Sequence, residues 1–322
     1  PLTLARISPG KAIYAIASSS WAGNVVLDAD AEVGAGDRLE FSGAISGPGG
    51  IAFKGAAYFV LSGSADNTYA GPTVAESCVL QLNKGYSRWA IGYGSLTVGA
   101  EGTGPSATVR TLGPNQLGSI PVTVNYKSLL DLNNFDDTVG NSLTLNNGGR
   151  IETGTGTLTL LPNSTITSAF DWSPQACVIA GRLNVGAGNC TIHLSDGPLH
   201  LSAETRGAAD LYITGNDAMW LMSSNSFSGT LTLQDSTRIV VDHDWAFGST
   251  VGGTIVDDEA YLDFGGSGNV HVVEEPLTLN SSRSPGVLWV PGGSHSWAGP
   301  VTLSRASSTV ALASGGCLLY TS

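Results

Sequence analysis

The chain has 322 residues, a formal net charge of −12, and 14 Lys and Arg against 26 Asp and Glu. With no basic cluster it repels phosphate backbones and anionic lipid, so the reading expects no nucleic acid partner. No run of about 18 apolar residues occurs, so no direct membrane insertion by a helix is expected either. Charged residues make up 12% of the chain and Gly 43 residues, and with Thr, Ser and Asn filling the polar positions this composition suits β-structure and turns.

The chain opens on Pro1-Leu2-Thr3-Leu4 without an initiating Met, a charged n-region or an apolar h-region, and the expectation is a piece of a longer protein. Trp21-Ala22-Gly23 then precedes the alternating Val25 and Leu27. The same order returns at Tyr69-Ala70-Gly71 before Val74, at Phe227-Ser228-Gly229 before Leu231 and Leu233, and at Trp297-Ala298-Gly299 before Val301 and Leu303. Gly marks close approach or backbone freedom, and residues of period two mark a strand with one buried face. Each copy therefore predicts a turn feeding a rung.

A second echo follows two of these turns, Trp89-Ala90-Ile91-Gly92 and Trp245-Ala246-Phe247-Gly248. Between them lies a ladder of short alternations: Val122 to Val124, Leu130 to Leu132, Leu143 to Leu145, Leu158 to Leu160 and Leu199 to Leu201. The breaks at Asn133-Asn134 and Asn146-Asn147-Gly148-Gly149 are turn formers that tolerate positive φ. No stretch sustains apolar residues at helical spacing without Gly, Pro or a β-branched interruption, so almost no helix is predicted.

A longer period encloses the turns. Pro1-Leu2-Thr3-Leu4 with Trp21-Ala22-Gly23 recurs as Pro276-Leu277-Thr278-Leu279 with Trp297-Ala298-Gly299, an offset of 275 between Pro1 and Pro276. Short strands with tight corners can fold into a sandwich or wind into a solenoid, and the long repeat favours winding. Rungs of roughly 20 to 25 residues predict about 13 to 16 turns, each inward Leu or Val contributing about 1.5 to 3 kcal/mol by burial. The predicted class is all-β, a single continuous β-solenoid over residues 1–316, with one super-repeat over about 1–275 and the start of a second over 276–316. The last six residues, Cys317 to Ser322, break the pattern and resemble a translated sequencing-adapter end, so 317–322 is predicted to be a non-native tail.

The stretch Gly49-Gly50, Leu61-Ser62-Gly63, Asn67-Thr68-Tyr69-Ala70-Gly71-Pro72-Thr73-Val74 and Leu80-Gln81-Leu82 resembles the autotransporter-associated β-strand repeat. Asn225-Ser226-Phe227-Ser228-Gly229-Thr230-Leu231 is similar but uses Ser and Phe and lacks the preceding Leu-Ser-Gly. The resemblance implies a right-handed parallel β-helix (β-solenoid), export to the cell surface, and no catalytic residue to carry over. The expected role is a structural and interaction segment of an exported bacterial surface protein, an adhesin-like passenger stalk contacting surface glycans or other cell-surface molecules. The alternative is a β-helix carbohydrate-active protein, lyase-like or tailspike-like. End-to-end self-association through open strand edges is a further expectation.

Several residues invite a chemical reading. Asp242-His243-Asp244 has metal-type ligands, but adjacent strand residues point to opposite faces. Asp257-Asp258-Glu259 and Glu274-Glu275 suit calcium or paired acids if stacked on one face, and otherwise read as solvated turn charges. Asp136-Asp137 with Lys127 or Arg150 imitates a lyase site. Trp21, Trp89, Trp245 and Trp297 fit either sugar platforms or, next to small residues and Gly, a structural role at corners. Cys78, Cys177, Cys190 and Cys317 form no CxxC pair, and a Cys177 to Cys190 bridge requires neighbouring rungs. No catalytic, cofactor-binding or metal-ligating residue is assigned, and no cofactor is expected.

Overall fold

The computed structural model describes residues 1–4, 12–102, 104–170, 175–266, 268–284 and 286–320, and among these there is no helix. The chain divides into two compact units, one over Pro1–Thr159 and one over Leu160–Phe170 with Gln175–Ser322. Each is a parallel β-solenoid in which a turn of chain lays one strand on a first sheet and the next on a second sheet.

In the first unit the first sheet runs Ile13–Ala15, Ala31–Ala35, Ile51–Lys54, Thr73–Glu76, Leu96–Val98, Val122–Val124 and Ser142–Asn146. Its second sheet runs Ser19–Trp21, Arg38–Phe41, Tyr58–Gly63, Val79–Lys84, Thr108–Thr111, Leu129–Asp131 and Arg150–Glu152. In the second unit the first sheet runs Ser164–Ala169, Asn189–Ser195, Asp210–Gly215, Leu231–Leu233, Thr254–Asp258, Leu277–Ser281 and Val301–Leu303. The second sheet there runs Cys177–Asn184, Leu199–Arg206, Ala218–Leu221, Arg238–Val241, Tyr261–Asp263, Leu288–Val290 and Val310–Leu312. The first-sheet strands of the two units together make about 14 turns, inside the range the repeats predict.

Parallel register turns the apolar alternation into columns. Val33, Phe53, Ala75, Val98, Val124 and Leu145 are successive partners and all are fully buried. In the second unit Ile192, Ile213, Leu233, Val256 and Leu279 do the same on the first sheet, and Leu199, Met219, Ile239, Leu262 and Leu288 on the second. Burying such side chains, at about 1.5 to 3 kcal/mol each, is the main force holding rung on rung. The corners use the residues the turns demand: Asn133, Asn134 and Asn147 have φ of 49°, 70° and 53°, a region Asn tolerates better than most side chains.

Three of the four aromatic-small-Gly turns are alike. Tyr69, Phe227 and Trp297 are buried and lead into first-sheet strands beginning at Thr73, Leu231 and Val301. Trp21 differs: it ends the second-sheet strand Ser19–Trp21, is 41% exposed, and leads into a small sheet of Leu2–Leu4, Val25–Leu27 and Ile45–Ser46. The backbone pairing does repeat, since Leu2 faces Val25 as Leu277 faces Val301. Of the four tryptophans read as corner supports, Trp297 is buried in that role and Trp21 is not. The Trp297 indole lies 5.1 Å from Phe247 and its Nε1 donates to Glu275 O at 2.6 Å, whereas the outward course of the strand leaves Trp21 at the surface.

Cys317 to Tyr320, read as a break in the pattern, lie within the strand Gly316–Tyr320, which pairs in parallel with Gly293–Trp297. No disulfide forms among the described residues, and Cys177 and Cys190 sit on different sheets.

Candidate functional site

The clusters singled out in the sequence do not converge. Asp244 Oδ1 accepts from His271 N at 2.7 Å, while His243 Nδ1 accepts from Trp245 N at 3.1 Å; both are local supports of the backbone. Asp257 Oδ1 accepts from Asp258 N and Asn280 Nδ2, each at 2.8 Å, and Glu259 Oε1 accepts from Ser282 Oγ at 3.1 Å. Among the described residues no group of three or more His, Cys, Asp or Glu is arranged to hold a metal ion. The lyase-like set is scattered: Asp136 Oδ1 accepts from Thr157 N, Arg150 pairs with Glu152 at 2.6 Å, and Lys127 lies 5.1 Å from the Tyr126 ring centre in a turn between the sheets.

A ladder of buried polar side chains, which sequence reasoning missed, runs through one corner of each unit. Asn67 Oδ1 accepts from Ile45 N at 2.9 Å, and its Nδ2 donates to Ala90 O at 2.6 Å. Asn225 repeats this with Thr205 N at 2.9 Å and Ala246 O at 2.7 Å. Asp137 accepts from Gln116 N and Leu117 N at 2.8 and 3.2 Å. His295 Nδ1 accepts from Val270 N, which leaves the proton on Nε2 to be donated to Gly292 O at 2.8 Å. The signal for the asparagines was present, since each stands two residues before its corner aromatic.

Glu275, read as a solvated turn charge, is buried instead. Thr254 Oγ1 donates to its Oε1 at 2.8 Å, its Oε2 has no partner, and burial pushes its carboxyl from 4.5 up to about 7. Burial likewise lifts Asp137 from 3.8 to about 6 against the pull of its backbone donors. A raised acid favours the protonated form in the fold, so Glu275's contribution is complete below pH 4.5 and is lost as pH rises towards about 7. Glu275→Gln is therefore expected to be near neutral in mild acid and to gain about 2 kcal/mol over the parent at about pH 8. Urea unfolding at both pH values checks this, and an equal difference at the two would refute it.

The outward face of the second sheet in the Leu160–Ser322 unit carries a row of partners: His200, Trp220, Val240, Asp263 and Trp289. His200 and Trp220 meet edge to face at 4.7 Å, and burial lowers the pKa of His200. Beside this row Arg238 faces Tyr261 across the register. Asp263 is buried; its Oδ2 pairs with Arg238 Nη2 at 2.5 Å and its Oδ1 accepts from Gly265 N at 2.7 Å. Arg283 lies over the Tyr261 ring at 4.0 Å and donates to Glu259 O at 3.3 Å. Arg238, Tyr261, Asp263, Arg283, Gly286 and Trp289 together line a recess of about 320 Å³. The Nε of Arg238 is buried and has no hydrogen-bond partner, an unusual state for a charged donor.

The recess offers an aromatic face and forked N–H donors, and its one carboxylate is already engaged. Of the tryptophans read as corner supports, Trp89 is 37% and Trp245 48% exposed, so they too lie on the surface rather than sealing the core. Taken with the columns of inward side chains, these features define a protein of the parallel β-solenoid class. No known protein family, curated protein or solved structure matches this chain.

Proposed function

We propose that this chain is a structural and interaction segment of an exported, adhesin-like surface protein, a passenger stalk that extends from the cell and presents side chains to surface molecules. The observation that carries the reading is the unbroken apolar interior of each unit, rung after rung, combined with outward rows whose composition changes from rung to rung. A solenoid of this kind gains stability from nearest-neighbour stacking, so its surface is free to vary without cost to the core. The repeat resemblance adds support for export by the autotransporter route. Antibodies raised against this chain are expected to label intact cells of the source organism as strongly as permeabilised ones. Labelling only after permeabilisation, or turnover of a polysaccharide by the purified chain, would overturn the reading.

A further inference from the structure

We infer that the recess lined by Arg238, Tyr261, Asp263, Arg283, Gly286 and Trp289 is a binding site for an acidic saccharide, one carrying a hexuronate carboxylate. The inference rests on the interaction role proposed above and names the class of partner.

Three observations converge on that ligand. First, the charge is locally reversed. Arg238 and Arg283 line the recess, and Arg305 reaches the same turn with Nη1 3.5 Å from Ser282 Oγ. Within the lining itself two guanidiniums face the single carboxylate of Asp263, so the recess is positive in a chain whose net charge is −12.

Second, the donors are poised for an acceptor from outside. Asp263 takes Nη2 of Arg238 and the Nε of that guanidinium is buried, so the donors open to an outside acceptor are chiefly those of Arg283. Arg283 lies over the Tyr261 ring and its side chain makes a single long bond to a backbone carbonyl. A planar carboxylate matches this forked geometry better than a point-charge partner does.

Third, the walls are Trp289 and Tyr261, which belong to neighbouring strands of the sheet. Trp289 stands opposite Asp263, two residues along from Tyr261, and Arg283 covers the Tyr261 ring, so Trp289 is the face on which the C–H side of a pyranose packs while its hydroxyls reach outward. A short peptide ending in carboxylate would satisfy the arginines but would make little use of the flat indole of Trp289. Glu259 does not compete for the site, since its carboxylate is already bonded to Ser282 Oγ.

The test is titration of the full chain with a glucuronate-containing trisaccharide and with the same trisaccharide after reduction of its carboxyl group, followed by calorimetry and tryptophan fluorescence. The acidic form is expected to bind about tenfold more tightly than the reduced form, and more weakly as salt is added. Arg283→Gln, at an exposed turn, is expected to lose about tenfold, and Trp289→Ala more, with unfolding midpoints close to that of the parent. Equal affinity for both sugars, or binding untouched by both variants, would overturn the site. No binding alongside labelling of intact cells would overturn the site and leave the surface role standing. Binding followed by cleavage would support the site and overturn the non-enzymatic reading.

Discussion

Asn67→Ala and Asn225→Ala are each expected to lower stability by about 3 kcal/mol or more. Each side chain is buried and spans three successive rungs. It accepts from a backbone N–H one rung before, donates to a carbonyl one rung after, and its own N–H reaches Trp89 O or Trp245 O at 2.9 Å. Alanine leaves the N–H of Ile45 or Thr205 and the carbonyl of Ala90 or Ala246 buried without partners, at about 1 to 3 kcal/mol apiece. Asn67→Asp keeps the acceptor but sets a carboxylate against Ala90 O, so it should be no milder. Urea unfolding measures the loss, and a change below about 1 kcal/mol would show that water replaces the ladder.

Gly71→Ala and Gly229→Ala should be comparably damaging, while Gly23→Ala should change stability by no more than about 0.5 kcal/mol. A Cβ at Gly71 would stand 2.3 Å from Gly50 N, and one at Gly229 2.1 Å from Ala209 O. Both obstacles are backbone of the preceding rung, which cannot retreat without breaking its ladder bonds. At Gly23 the nearest atom is Trp21 Nε1 at 3.1 Å, the end of a half-exposed side chain that can swing away. The three glycines share one sequence motif, so the contrast separates stacking from composition. A Cβ at Gly299 would likewise meet backbone of the preceding rung, Glu275 O at 2.0 Å. Equal loss at Gly23 and Gly71 would refute the stacking argument.

Much of the fold was legible because it is encoded locally. Alternation at Leu143 to Leu145 and Leu158 to Leu160 requires a strand with one buried face, and Asn133-Asn134 requires a corner. The recurrence of Trp89-Ala90 and Trp245-Ala246 marked a true equivalence, since both pairs supply carbonyls to a buried asparagine on the preceding rung. Trp21 and Glu275 were misread for a common reason. Burial of a corner residue depends on what the neighbouring rungs place over it, and that is not written beside it in the chain.

The amino-acid order by itself determined that the chain is all-β, that it winds rather than sandwiches, and roughly how many turns it makes, because period-two burial and turn chemistry act within a few residues. Only the tertiary structure decided which residues of the outward sheet face become neighbours. Trp220, Val240, Asp263 and Trp289 stand in one row although they are separated by 20, 23 and 26 residues, by subtraction of their numbers. Rungs of unequal length carry no fixed period that a reader could follow, and one residue more or less in a corner would turn the row to the opposite face. The recess that gathers two arginines, two aromatic rings and a buried carboxylate therefore exists only once the turns are stacked.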